Sequence, residues 1–546
     1  MRSKMLIFNK ISLLHIFCLS IALLSSCSDT PAPTAESKGL TEKPPRPNIV
    51  LILMDDMGYS DLSSFGGEIP TPNIDALAQQ GVKFRQFYNG GKCEPTRASL
   101  MSGQYWTTTG LGVKKGPTLG EVLQSADYRT YAIGKWHLDG NPTERGFNHF
   151  FGHLSGATDL FRGNKTFRLD KQAFTPNEDF YATVDYTNYA IDFINEGLTI
   201  APDKPFFLYL AHTAPHSPMQ ALPKDIEKFE NAYSQGWDIL REQRITRMRA
   251  LKVLDEQWEA SPRPNTIPSW DTLTEQNKAF EAKRMAIYAA MIYRVDQELA
   301  RLIDVLKSKK QLENTLVIFM SDNGASPFDR VRRGEIGTAG SFFNVGIGWA
   351  WMSGAPFKHY KRNQYQGGIL TSAIVNWPAG ISEQSKGRML DSPKHIIDLL
   401  PTFMAASGAR YQTTFKQQTL NLPPGQSLLP ELQGQSASKR DALYFQLFDH
   451  WAMIEDGYKI ASDWGRPPAL FDLTTDRTEM NNLAEAEPMR LQRMQQKWQR
   501  WASQHGKALK TAGDEPKHWV FPGKGEPLPP RKNKPVINKA NKNKDI

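Results

Sequence analysis

The sequence predicts an α/β fold: a large, mostly parallel central sheet between two layers of helices, followed by a smaller α+β subdomain with a short antiparallel sheet. Three observations predict it. "PNIVLILMDD" (47–56), "KPFFLYLAHTAPH" (204–216) and "NTLVIFMSDNG" (314–324) are apolar runs that each end at once in polar residues. Helical patterns separate them, at Ile74–Gln80, Leu119–Ala126, Tyr186–Glu196 and about Asn277–Lys309. From about Arg440 the texture changes to short alternating runs and then an amphipathic stretch, Glu487–Gln504. Strands that alternate with helices and read as unbroken apolar runs build a parallel sheet covered on both faces.

In chain order, residues 1–26 come first. Arg2, Lys4 and Lys10 precede a short apolar run from Ile11 to Leu24, the pattern of an export signal and shorter than the ~20 residues a membrane span needs. Leu24-Ser25-Ser26-Cys27 resembles the bacterial lipobox, which implies acylation of Cys27 and a membrane anchor, hence a lipoprotein of the periplasm or outer membrane. The Pro-, Ser- and Thr-rich residues 27–46 read as a flexible tether. Residues 47–438 are expected to form the catalytic domain, 439–520 the subdomain and 521–546 a basic disordered tail. Residues 222–275, charged and containing tryptophan, read as an insertion over the site that suggests a sugar-binding cleft, with most of the tryptophans read as core.

The net charge of +9 suggests a nucleic-acid binder until it is located. The three basic residues of the signal and a net five from Phe521–Ile546 leave about +1 on the body. No basic domain surface is implied, and no nucleic-acid partner is expected. The chain has 3 cysteines. With Cys18 in the signal and Cys27 at the lipidation position, only Cys93 is left in the body, so no intrachain disulfide can form there.

The strand ends carry the candidate chemistry, because sites of open α/β sheets lie at the carboxyl ends of strands. Asp55 and Asp56 are adjacent carboxylates, costly to bring together without a cation between them. With Asp322 and Asn323 from "SDNG" they suggest a site for a hard cation. "GKWHLDG" sets Lys135 and His137 two apart, on one face if the segment is extended, where they suit an anionic substrate and proton transfer. "HTAPHSP" offers His212 and His216, and "PFKHYKRNQYQGG" offers Lys358 and Lys361.

Cys93-Glu94-Pro95-Thr96-Arg97 decides among these. Its pattern, Cys-x-Pro-[Ser/Thr]-Arg, is improbable by composition, on the order of one chance in several hundred for such a chain. Followed by "ASLMSG", it resembles the signature of the type I sulfatases. The likeness runs in order through "PNIVLILMDDMGYSDL", "TPNIDALAQQGVKF", "GKWHL", "TAPHSP", "SDNG", "KRNQYQGG" and "ALFDLTTDRTEMNNLA", about residues 47 to 505.

The resemblance implies an alkaline-phosphatase-like fold and hydrolysis of sulfate esters of an aryl sulfate or a sulfated saccharide. It implies that a maturation enzyme oxidises Cys93 to formylglycine, reading Pro95 and Arg97, although Glu94 stands where small residues are commoner. One calcium ion is implied, held by Asp55, Asp56, the modified Cys93, Asp322 and Asn323. Arg97 matches the residue that holds the aldehyde hydrate, Lys135 a cation near the sulfate, and His137 the base for the hydrate's second hydroxyl. His216 matches the leaving-group histidine better than His212, and Lys361 the second sulfate lysine better than Lys358. Gln366 departs from a family glutamate. Two other readings stand beside this one: a phosphomonoester or phosphonate hydrolase on the same scaffold, and a glycan-binding lipoprotein without activity.

Overall fold

The computed structural model describes residues 46–463 and 466–506. The signal, Cys27, the tether, the tail and the end of the expected subdomain lie outside the described residues. The described residues form one compact unit.

A mixed eleven-stranded sheet runs through its centre. The strand Asn48–Asp55 lies in the middle, pairing parallel with Phe206–Pro215 on one side and Thr315–Ser321 on the other. All three strands are buried along their whole length, which is why they read as unbroken apolar runs. Arg129–Lys135 and His149–His153 extend the parallel part. Leu370–Asn376 runs antiparallel between Thr315–Ser321 and Val82–Tyr88, so the sheet changes direction there.

The helices cover both faces. Glu275–Ser308 and Ala182–Ile200 pack together on one face; Glu275–Ser308 starts two residues before the stretch expected from periodicity, and Ala182–Ile200 extends past its own at both ends. On the other face, Cys93–Ser102, Leu119–Gln124 and Leu399–Ser407 enclose a second apolar core that includes Leu51, Leu53, Phe207 and Ile318. Leu119–Gln124 stops two residues short of the expected end because the chain turns at Ser125–Asp127 into the next strand, Asp127 taking a φ of 63°.

The C-terminal region is a four-stranded antiparallel sheet, Leu443–Leu447, His450–Glu455, Tyr458–Ser462 and Ala469–Asp472, followed by the helix Pro488–His505. One face of this sheet holds Met494 and Trp498 of that helix. The other contributes Phe445, Ile454 and Phe471 to the same core as Val50 and Ile52, so sheet and main body share apolar packing.

The tryptophans of the insertion follow the core reading and not the sugar-cleft one. Trp237, Trp258 and Trp270 are buried, and Trp237 packs edge-on to both Trp270 and Trp349. These rings are core and present no face to a sugar.

Candidate functional site

Asp55 ends the central strand, and Asp56 turns away from it with a φ of 67°, a left-handed conformation that a short polar side chain tolerates. Two backbone hydrogen bonds stitch this turn to the neighbouring strand end: Asp322 N–H donates to Met54 O at 3.0 Å and Met57 N–H to Ser321 Oγ at 3.1 Å. The "SDNG" segment in turn lies against "QGG". Gly324 N–H donates to Gly368 O, and a Cβ at Gly324 would fall 1.9 Å from Gly367 O. That close approach draws the loop carrying Lys361 over the strand ends.

Cys93 opens the helix Cys93–Ser102 beneath this loop and is 2% exposed. Its Sγ donates to Asp55 Oδ1 at 3.2 Å and lies 3.0 Å from Lys361 Nζ. Lys361 also donates to Asp56 Oδ1 at 2.5 Å, and Lys135 to Asp55 Oδ2 at 2.5 Å. Asn323 Nδ2 donates to Asp56 Oδ1 at 2.6 Å. Ligand atoms of Asp55, Asp56, Cys93 and His216 lie within 4.8 Å of one another. Asp56 Oδ2 and Asn323 Oδ1 are buried oxygens with no hydrogen-bond partner among the described residues. Acceptors left bare in a low dielectric are costly, and an oxygen-rich set of this kind fits a hard cation.

Asp322 borders the same cluster but turns its Oδ2 to Arg97, whose Nε and Nη2 donate at 3.0 and 2.9 Å. Arg97 Nη1 donates to the Lys135 carbonyl and to Tyr209 Oη, at 2.7 and 3.2 Å. Arg97 is thus locked on every side, with its charge 3.9 Å from Asp55.

His137 is not set by strand geometry as its spacing suggested. The strand ends at Lys135, and His137 takes a φ of 54°, so its ring direction comes from a turn. His216 Nδ1 is 2.5 Å from Ser217 O, which puts its proton there and directs Nε2 toward Asp56 Oδ2 at 3.6 Å. His212 lies inside its strand beside Tyr186, outside the cluster. Lys358 points away from Cys93, lying over the rings of Tyr365 and Phe471 and donating to Glu479 O.

The electrostatics divide these groups sharply. Burial raises the Cys93 thiol, Asp322 and Asp55 raise it further, and it is pushed up to about 12. Burial would also raise Asp55, yet Lys135, with His216, Arg97 and Lys361 behind it, holds that carboxyl well below its ordinary range. Asp322, buried and next to Asp55, is pushed up to about 7. Burial would strip the proton from Lys361, but Asp56 and Cys93 outweigh it and hold the ammonium charged. Burial lowers His137 strongly, and Lys135 and Arg97 lower it further, so it is neutral at neutral pH. Burial likewise lowers His216.

Two sets of supporting residues were not singled out from the sequence, although the segments that carry Asp61 and Glu479 were. Asp61 accepts from Gly58 N, Tyr288 Oη and Arg244 Nη1 at 2.7, 2.6 and 2.6 Å, bracing the turn after Asp56. Glu479 pairs with Lys459 at 2.6 Å, both fully buried, and its Oε2 accepts from Gln366 N at 2.9 Å. The Gln366 amide itself donates to Tyr88 Oη and accepts from Lys459. A carboxylate thus sits at this spot, but position 479 supplies it. Glu94 lies at the rim, paired with Lys92 at 2.9 Å in the first turn of its helix.

Comparison with known proteins adds the following. The model of the family described as Sulfatase matches residues 47–409. An arylsulfatase of Klebsiella aerogenes is 33% identical over 413 residues, covering 66% of this chain and 87% of that enzyme. A crystal structure of Ps i-CgsB in complex with k-i-k-neocarrahexaose has a TM-score of 0.63 at 24% identity, covering 85% of this chain and 95% of that one. The structure of BT4656 with its substrate D-glucosamine-2-N,6-O-disulfate has a TM-score of 0.60 at 21% identity, covering 84% and 98%.

Proposed function

The chain belongs to the sulfatase family and is a sulfuric ester hydrolase, and from that premise we propose that it desulfates a sulfated polysaccharide or oligosaccharide, using a formylglycine made from Cys93 and one calcium ion. The observation that carries this reading is the state of Cys93. A buried thiol pushed up to about 12 is a poor nucleophile at neutral pH, yet it sits where two carboxylates and two ammonium groups converge. A converted side chain suits that position better than the thiol does.

Asp55, Asp56 and Asn323, with the group derived from Cys93, would hold the calcium, and the two bare buried oxygens support that set. Asp322 is the fifth proposed ligand, its Oδ1 lying 3.4 Å from Asp56 N while Oδ2 stays on Arg97. A bound calcium would supply positive charge that offsets the repulsion between an anionic ester and its nucleophile. Formylglycine would supply, as its hydrate, one hydroxyl to attack sulfur and a second whose deprotonation releases sulfate.

The remaining steps fall to side chains of the chain itself. Lys135 and Lys361 place two fixed ammonium groups at the sulfate position, where they stabilise developing negative charge. His137, neutral and with a buried Nδ1 that has no partner, is suited to accept the proton of the second hydroxyl. Lys361 and His216, both next to Asp56, are the two candidates to protonate the leaving oxygen. Of the two, Lys361 already carries a proton to give. Arg97, fixed by Asp322, Tyr209 and the Lys135 carbonyl, holds this group of charges in register.

The substrate class rests on fold neighbours solved with saccharides. Export as a lipoprotein through Cys27 is part of the same proposal, and Cys27→Ser should move the protein from the membrane fraction to the soluble one. Mass spectrometry of the Cys93 peptide after native expression should show the aldehyde or its hydrate. Aryl sulfate should be hydrolysed far faster than aryl phosphate, in a calcium-dependent manner. A thiol in every copy, or a preference for phosphate, overturns the reading.

A further inference from the structure

His153 is given no step in the chemistry at Cys93, yet it touches the supports of three residues that are. It ends the strand His149–His153, opposite Lys135 in the parallel register. Its carbonyl accepts from Trp136 N–H at 3.0 Å, one residue before His137. The side chain is fully buried. Its Nδ1 lies 3.2 Å from Ser155 Oγ and its Nε2 2.9 Å from Thr213 Oγ1. The proton positions follow from these partners. Ser155 Oγ donates to Ala157 O at 2.9 Å, so it accepts from His153, whose proton is therefore on Nδ1. Nε2 is left to accept from the Thr213 hydroxyl, and Tyr186 Oη, 3.4 Å away, can donate to that hydroxyl in turn. Burial, with Lys135 and Arg97 nearby, lowers the imidazole to about 3, so at neutral pH the ring holds one proton and this order persists.

Each partner leads to a histidine of the site. Ser155 precedes Gly156, which packs so closely on the His137 ring that an added Cβ would fall 2.7 Å from Nε2. His137 Nδ1 has no hydrogen-bond partner among the described residues, so the contact with Gly156, and no bond at Nδ1, aims this ring. On the other side, Thr213 belongs to the strand Phe206–Pro215, and its carbonyl accepts from His216 N–H at 2.8 Å.

We propose that His153 is a positioning residue whose imidazole bridges the loop that aims His137 and the strand end that leads into His216, so that both histidines depend on one buried side chain. The proposal rests on the sulfatase reading above. Two substitutions divide the bridge. The side-chain oxygen in His153→Gln reaches the Nε2 position and keeps the Thr213 contact. The amide nitrogen in His153→Asn falls at the Nδ1 position and keeps the Ser155 contact.

The test uses the full chain with p-nitrophenyl sulfate. His153→Gln should lower kcat about tenfold or more and KM in step with it, leaving kcat/KM within about twofold, because only the later half of turnover, where His137 takes a proton, is slowed. Ser155→Ala, in a partly exposed loop, should give the same pattern if the buried substitution impairs folding. His153→Asn and Thr213→Val should instead lower kcat/KM. A lower yield of folded protein would reduce kcat at unchanged KM. That result in both His153 variants, the same change in both, or parent kinetics in either overturns the bridge. Hydrogen exchange, read without substrate, should rise at 155–158 in His153→Gln and at 213–217 in His153→Asn. An exchange pattern common to the two variants also overturns it. A parent protein inactive on p-nitrophenyl sulfate sinks the sulfatase reading, and the exchange pattern still decides the bridge.

Discussion

The ring of His137 leaves no room for a methyl group at Gly156: a Cβ there would fall 2.7 Å from Nε2. Gly156→Ala must therefore turn the imidazole, and if His137 is the base, kcat at saturating aryl sulfate should fall about 10²-fold. The circular dichroism spectrum should stay unchanged, because Gly156 lies in a partly exposed loop. Glu479→Gln tests a different residue, one that supports the Lys361 loop from behind. It leaves Lys459 buried without its counter-charge, and urea titration should show a loss of about 3 kcal/mol in unfolding free energy. The two residues also differ in how far sequence revealed them. His137 sits in a short polar motif after a strand, so its presence was legible and only its left-handed turn was not. Glu479 lies 113 residues from Gln366, the loop residue it supports, in a segment whose likeness gave no role to this residue, and only the folded chain brings them together.

At the scale of elements, the insertion helix Gly236–Ala250 acts inward. Arg244 donates to Asp61 at 2.6 Å and to both Glu68 oxygens at 2.7 Å, fully buried, and Tyr288 of the long helix reaches the same Asp61. This ties two helices to the turn that follows Asp56. Replacing Arg244 with Met removes the cation and leaves the fully buried Asp61 without its counter-charge, so unfolding should become easier by about 3–5 kcal/mol in urea. The strands and their polar ends were legible because burial on both faces writes itself as an unbroken apolar run. The tryptophans of the insertion were legible as core, but the inward ion pairs of its helix were not, since charged residues on a helix look alike whether they face solvent or a buried partner.

For the whole molecule, buried histidines set the acid limit. His212 and His395 are each lowered to about 3, by burial and, for His395, by Arg440 as well. His153 is lowered to about 3 by burial together with Lys135 and Arg97. Each folded value lies below that of a free imidazole, so the unfolded chain takes up protons first. The stability these groups contribute is complete above pH ~6.5 and is lost as pH falls toward about 3. The urea midpoint should therefore drop between pH 7 and pH 4.5, and His395→Asn should flatten that slope. A slope unchanged by His395→Asn would show that other groups set the limit.

The burial of Cys93 also carries a consequence in time. Its side chain is 2% exposed, and Lys361, which closes over it, lies 268 residues further along the chain. During synthesis the Cys93-x-Pro-x-Arg stretch emerges well before the segments that cover it. Any catalyst that modifies Cys93 has that interval in which to work, before folding closes the site. Chain growth and modification are thereby set in competition with folding, and a copy that folds first is committed to its thiol.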